Sequence, residues 1–327
     1  MRGFIRFFFT LLFLGAMGAV AFGWLYLQNE LPKPGPLEAD KLVYIAPGSV
    51  RDIGNTLIKN NVITDEWLFR FGVWKRKPQG PLKSGEYMFK AHGSTEDAIA
   101  VLQSGKEYQR KLTIPEGLTS YEIVTLVNGA EAMDGTLDIA RLPAEGTLLP
   151  ETYNYTYGVK RTAIIDRMAE AMKKTLAEYW PKKSANSLVK SEAELVTLAS
   201  IVERETGIAT ERPRVAGVFM NRMKLGMPLQ SDPTAIYVLS EGKGKLGRPL
   251  TSADLRVDSP YNTYVAQGLP PGPIANPGKE SLLAVAQPET HDYLYFVADG
   301  TGGHAFGRNL DEHNRNVANW RAHQQQK

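Results

Sequence analysis

Two glutamates at the end of an apolar segment are the residues best suited to acid–base chemistry. The segment Leu195-Val-Thr-Leu-Ala-Ser-Ile-Val-Glu-Arg-Glu-Thr206 predicts a helix. At about 100° per residue, Glu205 shares a face with the apolar Ile201 and Val202. Glu203 points roughly 200° away from that face. A carboxyl on a buried face loses hydration, which raises its pKa and allows proton donation at neutral pH. The alternative interpretation is a solvated helix end.

Three motifs rich in Pro and Gly follow this helix and predict stiff loops. They are Gly226-Met-Pro-Leu-Gln-Ser-Asp-Pro-Thr-Ala-Ile-Tyr237, Ser259-Pro-Tyr-Asn-Thr-Tyr264 and Gly268-Leu-Pro-Pro-Gly-Pro-Ile-Ala-Asn-Pro-Gly278. Their polar and aromatic side chains suit a sugar, which is bound by hydrogen bonds and by stacking on rings. We predict that the following residues line such a cleft: Gln230, Ser231, Asp232, Thr234, Tyr261, Asn262 and Tyr264. Rigid surface connections are the alternative. Because Asn262 lies in a loop, we expect Asn262→Ala to weaken turnover and to leave stability nearly intact.

Other chemistries lack their sequence signatures. The histidines have no metal-ligand spacing, so no metal site is predicted. The chain has no cysteine and no Gly-x-Ser-x-Gly elbow, which argues against a thiol or serine nucleophile. No phosphate-binding or dinucleotide fingerprint is present, and no cofactor is expected. A net charge of +3 is too small to indicate a nucleic-acid partner.

The N-terminal region predicts a membrane anchor. The run from Phe7 to Leu27 has no charged residue and spans roughly 30 Å as a helix, the thickness of a bilayer core. Arg2 and Arg6 precede it, so the positive-inside rule predicts a cytoplasmic N-terminus and an exported remainder. A cleaved signal peptide is the competing interpretation, because Ala19-Val-Ala21 resembles a cleavage site. The length of the apolar run favours an uncleaved single-pass anchor.

The remaining elements predict an α+β protein with several parts. A strand, two helices and a strand precede residue 90, and this βααβ order resembles the LysM module, which binds N-acetylglucosamine polymers. An amphipathic helix is predicted for Thr162–Tyr179, the Glu-bearing helix begins near Ser191, and a hairpin follows near Tyr293. The predicted parts are the anchor (1–30), a Pro-rich spacer (31–40), the LysM-like module (41–108), a second strand-helix segment with a hinge (109–158), and a mixed α/β catalytic domain (159–327).

Several motifs, in one order, resemble the endolytic murein transglycosylases of the YceG-like family. They are Ala199-Ser-Ile-Val-Glu-Arg-Glu-Thr206, Val218-Phe-Met-Asn-Arg222, Leu229-Gln-Ser-Asp-Pro-Thr234, Tyr261-Asn-Thr-Tyr264, Gly268-Leu-Pro-Pro-Gly272 and Tyr293-Leu-Tyr-Phe-Val-Ala298. The resemblance implies cleavage of the β-1,4 bond between N-acetylmuramic acid and N-acetylglucosamine, with a 1,6-anhydromuramyl product.

The resemblance also implies which residues and partners are involved. It makes Glu205 the catalytic acid, with Glu203 as the alternative, so we expect Glu203→Gln to cost much less than Glu205→Gln. It implies glycan strands of peptidoglycan as substrate, peptidoglycan synthases as partners, and a single-pass inner-membrane protein with a periplasmic catalytic part. A lysozyme-type hydrolase, which uses Glu203 or Asp232 as a second carboxylate, and a non-enzymatic murein-binding scaffold remain the alternatives.

Overall fold

The computed structural model describes residues 2–325, and the surroundings of side chains from residue 6 onward. The chain forms two compact units. The first runs from the N-terminal helix to Arg110 and includes Asn154–Gly158. The second contains Lys111–Tyr153 and continues from Val159. Most of the segment predicted as a separate part, 109–158, therefore belongs with the part that carries Glu205.

The first unit begins with helix α1, Arg2–Glu30. From Arg6 to Glu30 this helix is long and apolar enough to cross a membrane, and it is not buried inside the protein. The next elements are β1 (Lys41–Ile45), α2 (Val50–Lys59), α3 (Glu66–Lys75), a 3-10 turn at Lys77–Gln79, β2 (Gly85–Phe89) and α4 (Thr95–Ser104). Strands β1 and β2 pair antiparallel, so a βααβ order is present, as the sequence predicts.

Residues 31–40, predicted as a Pro-rich spacer, are partly buried in the first unit. The side chains of Leu31 and Leu37 are buried in the core of the first unit. The backbone N–H of Glu96 donates to the carbonyl of Leu31 over 3.1 Å, and that of His92 donates to the carbonyl of Leu37 over 2.8 Å. The two leucines on either side of the prolines hold the segment on the unit, because burying them is more favourable than leaving them in water.

Side-chain caps fix the helix starts in both units. Ser49 caps α2 and Ser94 caps α4, each in a capping box with an aspartate three residues on. In the second unit Thr119 caps α5 in the same way with Glu122. These caps are local features, because each joins a Ser or Thr to an acidic residue only three positions further on.

The second unit is mainly helical. Strands β3 (Arg110–Thr113) and β5 (Thr152–Tyr155) extend across its boundary with the first unit. Its other elements are α5 (Ser120–Gly129), β4 (Met133–Asp134), β6 (Val159–Lys160), α6 (Arg161–Tyr179), α7 (Glu192–Glu205), α8 (Arg212–Lys224), α9 (Asp232–Leu239), α10 (Lys279–Ala286), β7 (Tyr295–Ala298), β8 (His304–Gly307) and α11 (Leu310–Gln325), with 3-10 turns at Trp180–Lys182 and Asp254–Arg256. β3 pairs with β5, β4 runs parallel to β6, and β7 and β8 form the predicted antiparallel hairpin.

Helix α7 lies at the centre of this unit and is capped by Ser191, where the sequence predicts its start. Every residue from Leu195 to Val202 is buried. The helix packs against α8 and α10, in a core to which Val215, Phe219 and Leu282 contribute. The helix is therefore buried on all sides along this stretch, whereas a single apolar stripe would predict one buried face. Both glutamates lie in its last turn, directly after the buried stretch.

Candidate active site

Glu205 is the last residue of α7, and one of its carboxylate oxygens is held by a buried serine. The hydroxyl of Ser231 donates to Oε1 of Glu205 over 2.5 Å, and Ser231 itself is only 1% exposed. Glu205 remains partly exposed, and no residue among 2–325 donates a hydrogen bond to its second oxygen. Burial is the main cause that raises the pKa of Glu205 to about 7, and the charge of Asp232 adds to it. The Ser231 hydrogen bond and the Arg222 charge act in the opposite direction.

The position of Ser231 is set by two loops that hydrogen-bond to each other. The N–H of Gln230 donates to the carbonyl of Thr263 over 3.0 Å, and the N–H of Ser231 donates to the hydroxyl of Thr263, also over 3.0 Å. The hydroxyls of Thr234 and Thr263 lie 2.9 Å apart, and both residues are fully buried. Thr263, which was not among the predicted cleft residues, therefore joins the 230–234 loop to the 261–264 loop beside Glu205.

Arg222 is the second residue that sequence reasoning missed. Its guanidinium donates to the carbonyl of Leu229 over 2.9 Å, to Oε1 of Gln230 over 3.2 Å, and to the carbonyl of Leu294 over 2.6 Å. It also lies over the ring of Tyr295, 5.1 Å from its centre. Burial lowers the pKa of Arg222, while the nearby Glu205 charge raises it. Arg222 thus fixes the loop that carries Ser231. In the sequence, only its position in the motif Val218-Phe-Met-Asn-Arg222 indicated a role for it.

Glu203 has a different environment from Glu205. Its side chain is 4% exposed, and it accepts hydrogen bonds from Arg212 over 3.1 Å and from the N–H of Gly278 over 2.9 Å. Gly278 precedes α10, so the carboxylate lies at the positive end of that helix. Arg212 also pairs with Glu116 over 3.2 Å. Glu203 therefore joins α7, α8 and α10, and both its oxygens are occupied by donors.

The predicted cleft residues divide into two groups. Gln230 and Asp232 are exposed, and Tyr261 and Tyr264 are partly exposed. The hydroxyl of Tyr264 donates to Oδ1 of Asp232 over 2.5 Å. Burial, followed by the hydrogen bond to Asp232, raises the pKa of Tyr264. These four side chains and Glu205 are available to a ligand; Ser231 and Thr234 lie beneath this surface.

Asn262 requires a correction of its predicted role. It is 0% exposed, and its side-chain amide donates to the carbonyls of Leu255 (3.1 Å) and Val257 (2.8 Å). Its side-chain oxygen accepts from the N–H of Tyr264 over 3.1 Å. The side chain is therefore used within the protein and fixes the loop; it has no surface to offer a glycan.

A second carboxyl with a raised pKa lies on the same unit. Glu145 accepts from the N–H of Ser120 over 3.0 Å and from the side-chain amide of Asn276 over 3.2 Å. Burial raises the pKa of Glu145 to about 7, against the effect of the Ser120 hydrogen bonds. It lines a cavity of about 410 Å³ together with Val196 and Pro273. Glu145 is a further residue that sequence reasoning missed; it lies within the segment 109–158 that was predicted to contain a hinge.

Among residues 2–325, no cluster of three or more His, Asp or Glu side chains has an arrangement that can hold a metal ion.

Comparison with known proteins identifies relatives over most of the chain. The YceG-like family model matches residues 43–319. The endolytic murein transglycosylase of Bacillus subtilis (strain 168) is 33% identical over 82% of this chain and 81% of its own length. That of Streptococcus pneumoniae (strain D39) is 32% identical over 94% of this chain, which spans 64% of that relative's length.

A solved structure is similar as well. The crystal structure of a putative YceG-like protein from Listeria monocytogenes shares 33% identity, with a TM-score of 0.55, over 85% of this chain and 99% of that one. Sequence and structure therefore agree in one assignment: this chain belongs to the YceG-like family.

Proposed function

We propose that this protein is an endolytic lytic transglycosylase, which cleaves the β-1,4 bond between N-acetylmuramic acid and N-acetylglucosamine within peptidoglycan strands. The observation that carries the proposal is the Glu205 carboxyl, partly exposed, with a pKa of about 7 and with one oxygen held by Ser231. The relatives named endolytic murein transglycosylases support the substrate class.

The geometry suits a single residue that acts first as acid and then as base. With Oε1 held by Ser231, the proton resides on Oε2, which donates it to the glycosidic oxygen as the C–O bond breaks. The acetamido group of the muramic acid can assist departure. The Glu205 carboxylate then removes the proton from the 6-hydroxyl of the same sugar, and that oxygen bonds to the anomeric carbon. The product is a 1,6-anhydro ring; water is not consumed, and Glu205 regains its proton.

The neighbouring residues have separate roles in this proposal. Ser231 positions the acid, and Arg222 and Thr263 position Ser231. Gln230, Asp232, Tyr261 and Tyr264 are the accessible groups, so we assign substrate contacts to them. Polar groups and rings on loops fixed by internal hydrogen bonds hold a sugar with little loss of conformational entropy on binding.

A lysozyme-type hydrolase and a non-enzymatic murein-binding scaffold are distinguished from this proposal by one digestion. Purified full-length protein is incubated with isolated murein in water enriched in oxygen-18, and the soluble products are analysed by mass spectrometry. We expect anhydromuramyl ends without the heavy isotope. Reducing ends that carry oxygen-18 would show a hydrolase, and a lack of soluble products would indicate a scaffold. Glu205→Gln, folded and inactive, is the control for contaminating enzymes.

We also propose a location and partners. The apolar helix α1 serves as a single-pass inner-membrane anchor with its N-terminus in the cytoplasm and the two units in the periplasm. The βααβ unit is a LysM-like module that contacts glycan, and peptidoglycan synthases, whose product is the substrate, are the partner class. Protease treatment of spheroplasts should degrade both units; their protection would contradict this orientation.

A further inference from the structure

Helix α3 has two apolar faces, of which the protein buries only one. Phe69 is 0% exposed and packs in the core of the first unit. On the other side, Trp67 is 69% and Trp74 is 60% exposed. Phe71 lies between these two tryptophans on the helix, since positions four and seven residues after Trp67 share its helix face, and it is partly buried against the core. Exposed aromatic side chains that adjoin one another usually mark an interaction surface.

This outer face of α3 is continuous with the end of α1. The ring of Trp24 in α1 lies 5.2 Å from that of Phe71 and 5.6 Å from that of Trp74, edge to face in both cases. Just beyond α1, Leu31 packs so close to Gly72 that a Cβ there would lie 2.7 Å from a Leu31 methyl. Helix α3 is therefore packed against the end of α1 by contacts on both of its faces.

The depth of Trp24 determines what surrounds its partners. If α1 crosses a bilayer, Trp24 lies about 5 Å, three helical rises, inside Leu27, where the apolar run ends. Tryptophan is enriched at that level, where an apolar ring adjoins the headgroups. Trp74 and Phe71 contact Trp24 and must lie near the same level. Lys75 and Lys77 follow Trp74, and both suit anionic headgroups.

We propose that the face formed by Trp67, Phe71 and Trp74 lies in the headgroup region of the membrane, as a second contact beside α1. This contact holds the first unit against the lipid surface from which α1 emerges. It rests on α1 crossing the membrane, and it is independent of the reaction assigned to Glu205. Lipid is favoured over glycan because the rings are continuous with an apolar anchor helix.

The absence of cysteine from the sequence permits a direct test. Single cysteines are placed in the full-length protein at Trp67, Trp74 and, as an exposed control outside α3, Gln109. Each is labelled with a nitroxide in nanodiscs of phosphatidylethanolamine and phosphatidylglycerol. The accessibility of the label to oxygen and to a water-soluble nickel chelate is measured by electron paramagnetic resonance. A label at Gly15, which has open space around it, reports whether α1 is inserted.

We expect a ratio of oxygen to nickel accessibility several-fold higher at positions 67 and 74 than at 109, and highest at 15. A ratio at 67 and 74 equal to that at 109 would overturn the proposal. In that case, N-acetylglucosamine oligomers are added to the labelled protein. Immobilised labels would assign the face to glycan, and unchanged spectra would assign it to a protein partner. A water-accessible label at 15 would instead refute the anchor on which the proposal rests. Trp74 packs on α1, so a label there could disturb the contact between the helices. Position 67 is less disruptive, because Trp67 has no ring contact with Trp24 within the described residues.

Discussion

Glutamine at Glu205 should abolish activity without loss of stability, whereas glutamine at Glu203 should lower stability with little effect on activity. In Glu205→Gln the transferable proton is absent, so murein cleavage should fall by at least ~10²–10⁴-fold, the usual contribution of general acid–base catalysis. In Glu203→Gln the acid remains, so turnover per folded molecule should change little. The free energy of unfolding should fall in Glu203→Gln and should hold or rise in Glu205→Gln.

The stability effect at Glu205 follows from its pKa. The folded-state pKa of about 7 lies above the usual value of 4.5, so the folded protein binds the proton more tightly than the unfolded chain does. That stabilisation is complete below pH 4.5 and is lost as the pH rises through 7. The two pKa values differ by about 2.5, and each pH unit corresponds to 1.36 kcal/mol, so the stabilisation is about 3 kcal/mol at most. Screening by water at the exposed edge of Glu205 reduces this value. Glu205→Gln does not titrate, so it should equal the wild type near pH 4.5 and exceed it at pH 8.

The effect at Glu203 follows from its ion pair. Both partners are buried, with side-chain exposures of 4% for Glu203 and 8% for Arg212. Removal of one charge from a buried pair typically costs about 3–5 kcal/mol, and Glu116 retains part of the interaction here. Glu203→Gln should therefore have a small effect on turnover, as the sequence predicts, but a large effect on stability.

The assay combines urea unfolding at pH 5 and pH 8 with murein release normalised to folded protein. An active Glu205→Gln variant, or one that is less stable than the wild type at pH 8, would refute the assignment of Glu205 as a desolvated acid. An inactive, fully folded Glu203→Gln variant would move the acid to Glu203.

Three further changes test the surrounding residues. Ser231→Ala removes a hydrogen bond that lowers the pKa of Glu205, so the alkaline limb of the activity profile should move to higher pH while kcat falls; an unmoved limb contradicts the role of Ser231. Asn262→Ala leaves buried carbonyls without donors and should lower the free energy of unfolding by about 1–3 kcal/mol, measured in urea; unchanged stability with weaker binding would return it to the cleft. Glu145→Gln removes a group whose pKa of about 7 makes stability fall as the pH rises from 4.5, so melting temperatures at pH 5 and pH 8 should differ less than in the wild type.

The sequence predicted the features that depend on neighbouring residues. The cap at Ser191, the βααβ order and the hairpin of β7 and β8 each follow from local patterns of polar, apolar and turn residues. Because Glu205 is only three residues beyond Val202, its relation to the buried face is local as well. The family resemblance added the order of the later motifs.

The features that sequence reasoning missed depend on contacts between distant residues. Thr263 reaches Ser231 from 32 positions away, and Asn276 reaches Glu145 from 131 positions away. The burial of Asn262 and of Glu203 is likewise set by packing that no local pattern reports. Polar residues in a Pro-rich loop suggest exposure, but such a loop becomes interior where other elements cover it, and its polar groups then require partners.

The Asp232 carboxylate provides the sharpest distinction between the proposed reaction and a two-carboxylate hydrolase. In a hydrolase, Asp232 would act as nucleophile or base beside Glu205, and Asp232→Asn would abolish cleavage at every pH. In the proposed reaction, Asp232 acts on Glu205 through its charge, which raises the pKa of the acid. Asp232→Asn should therefore retain cleavage and move the alkaline limb of the profile to lower pH, opposite to Ser231→Ala. Tyr264→Phe, which removes the hydrogen bond to Asp232 and leaves the charge, is the matched control and should move the limb less. Loss of activity in Asp232→Asn together with an unchanged Tyr264→Phe profile would identify a second catalytic carboxylate and contradict the single-acid reaction.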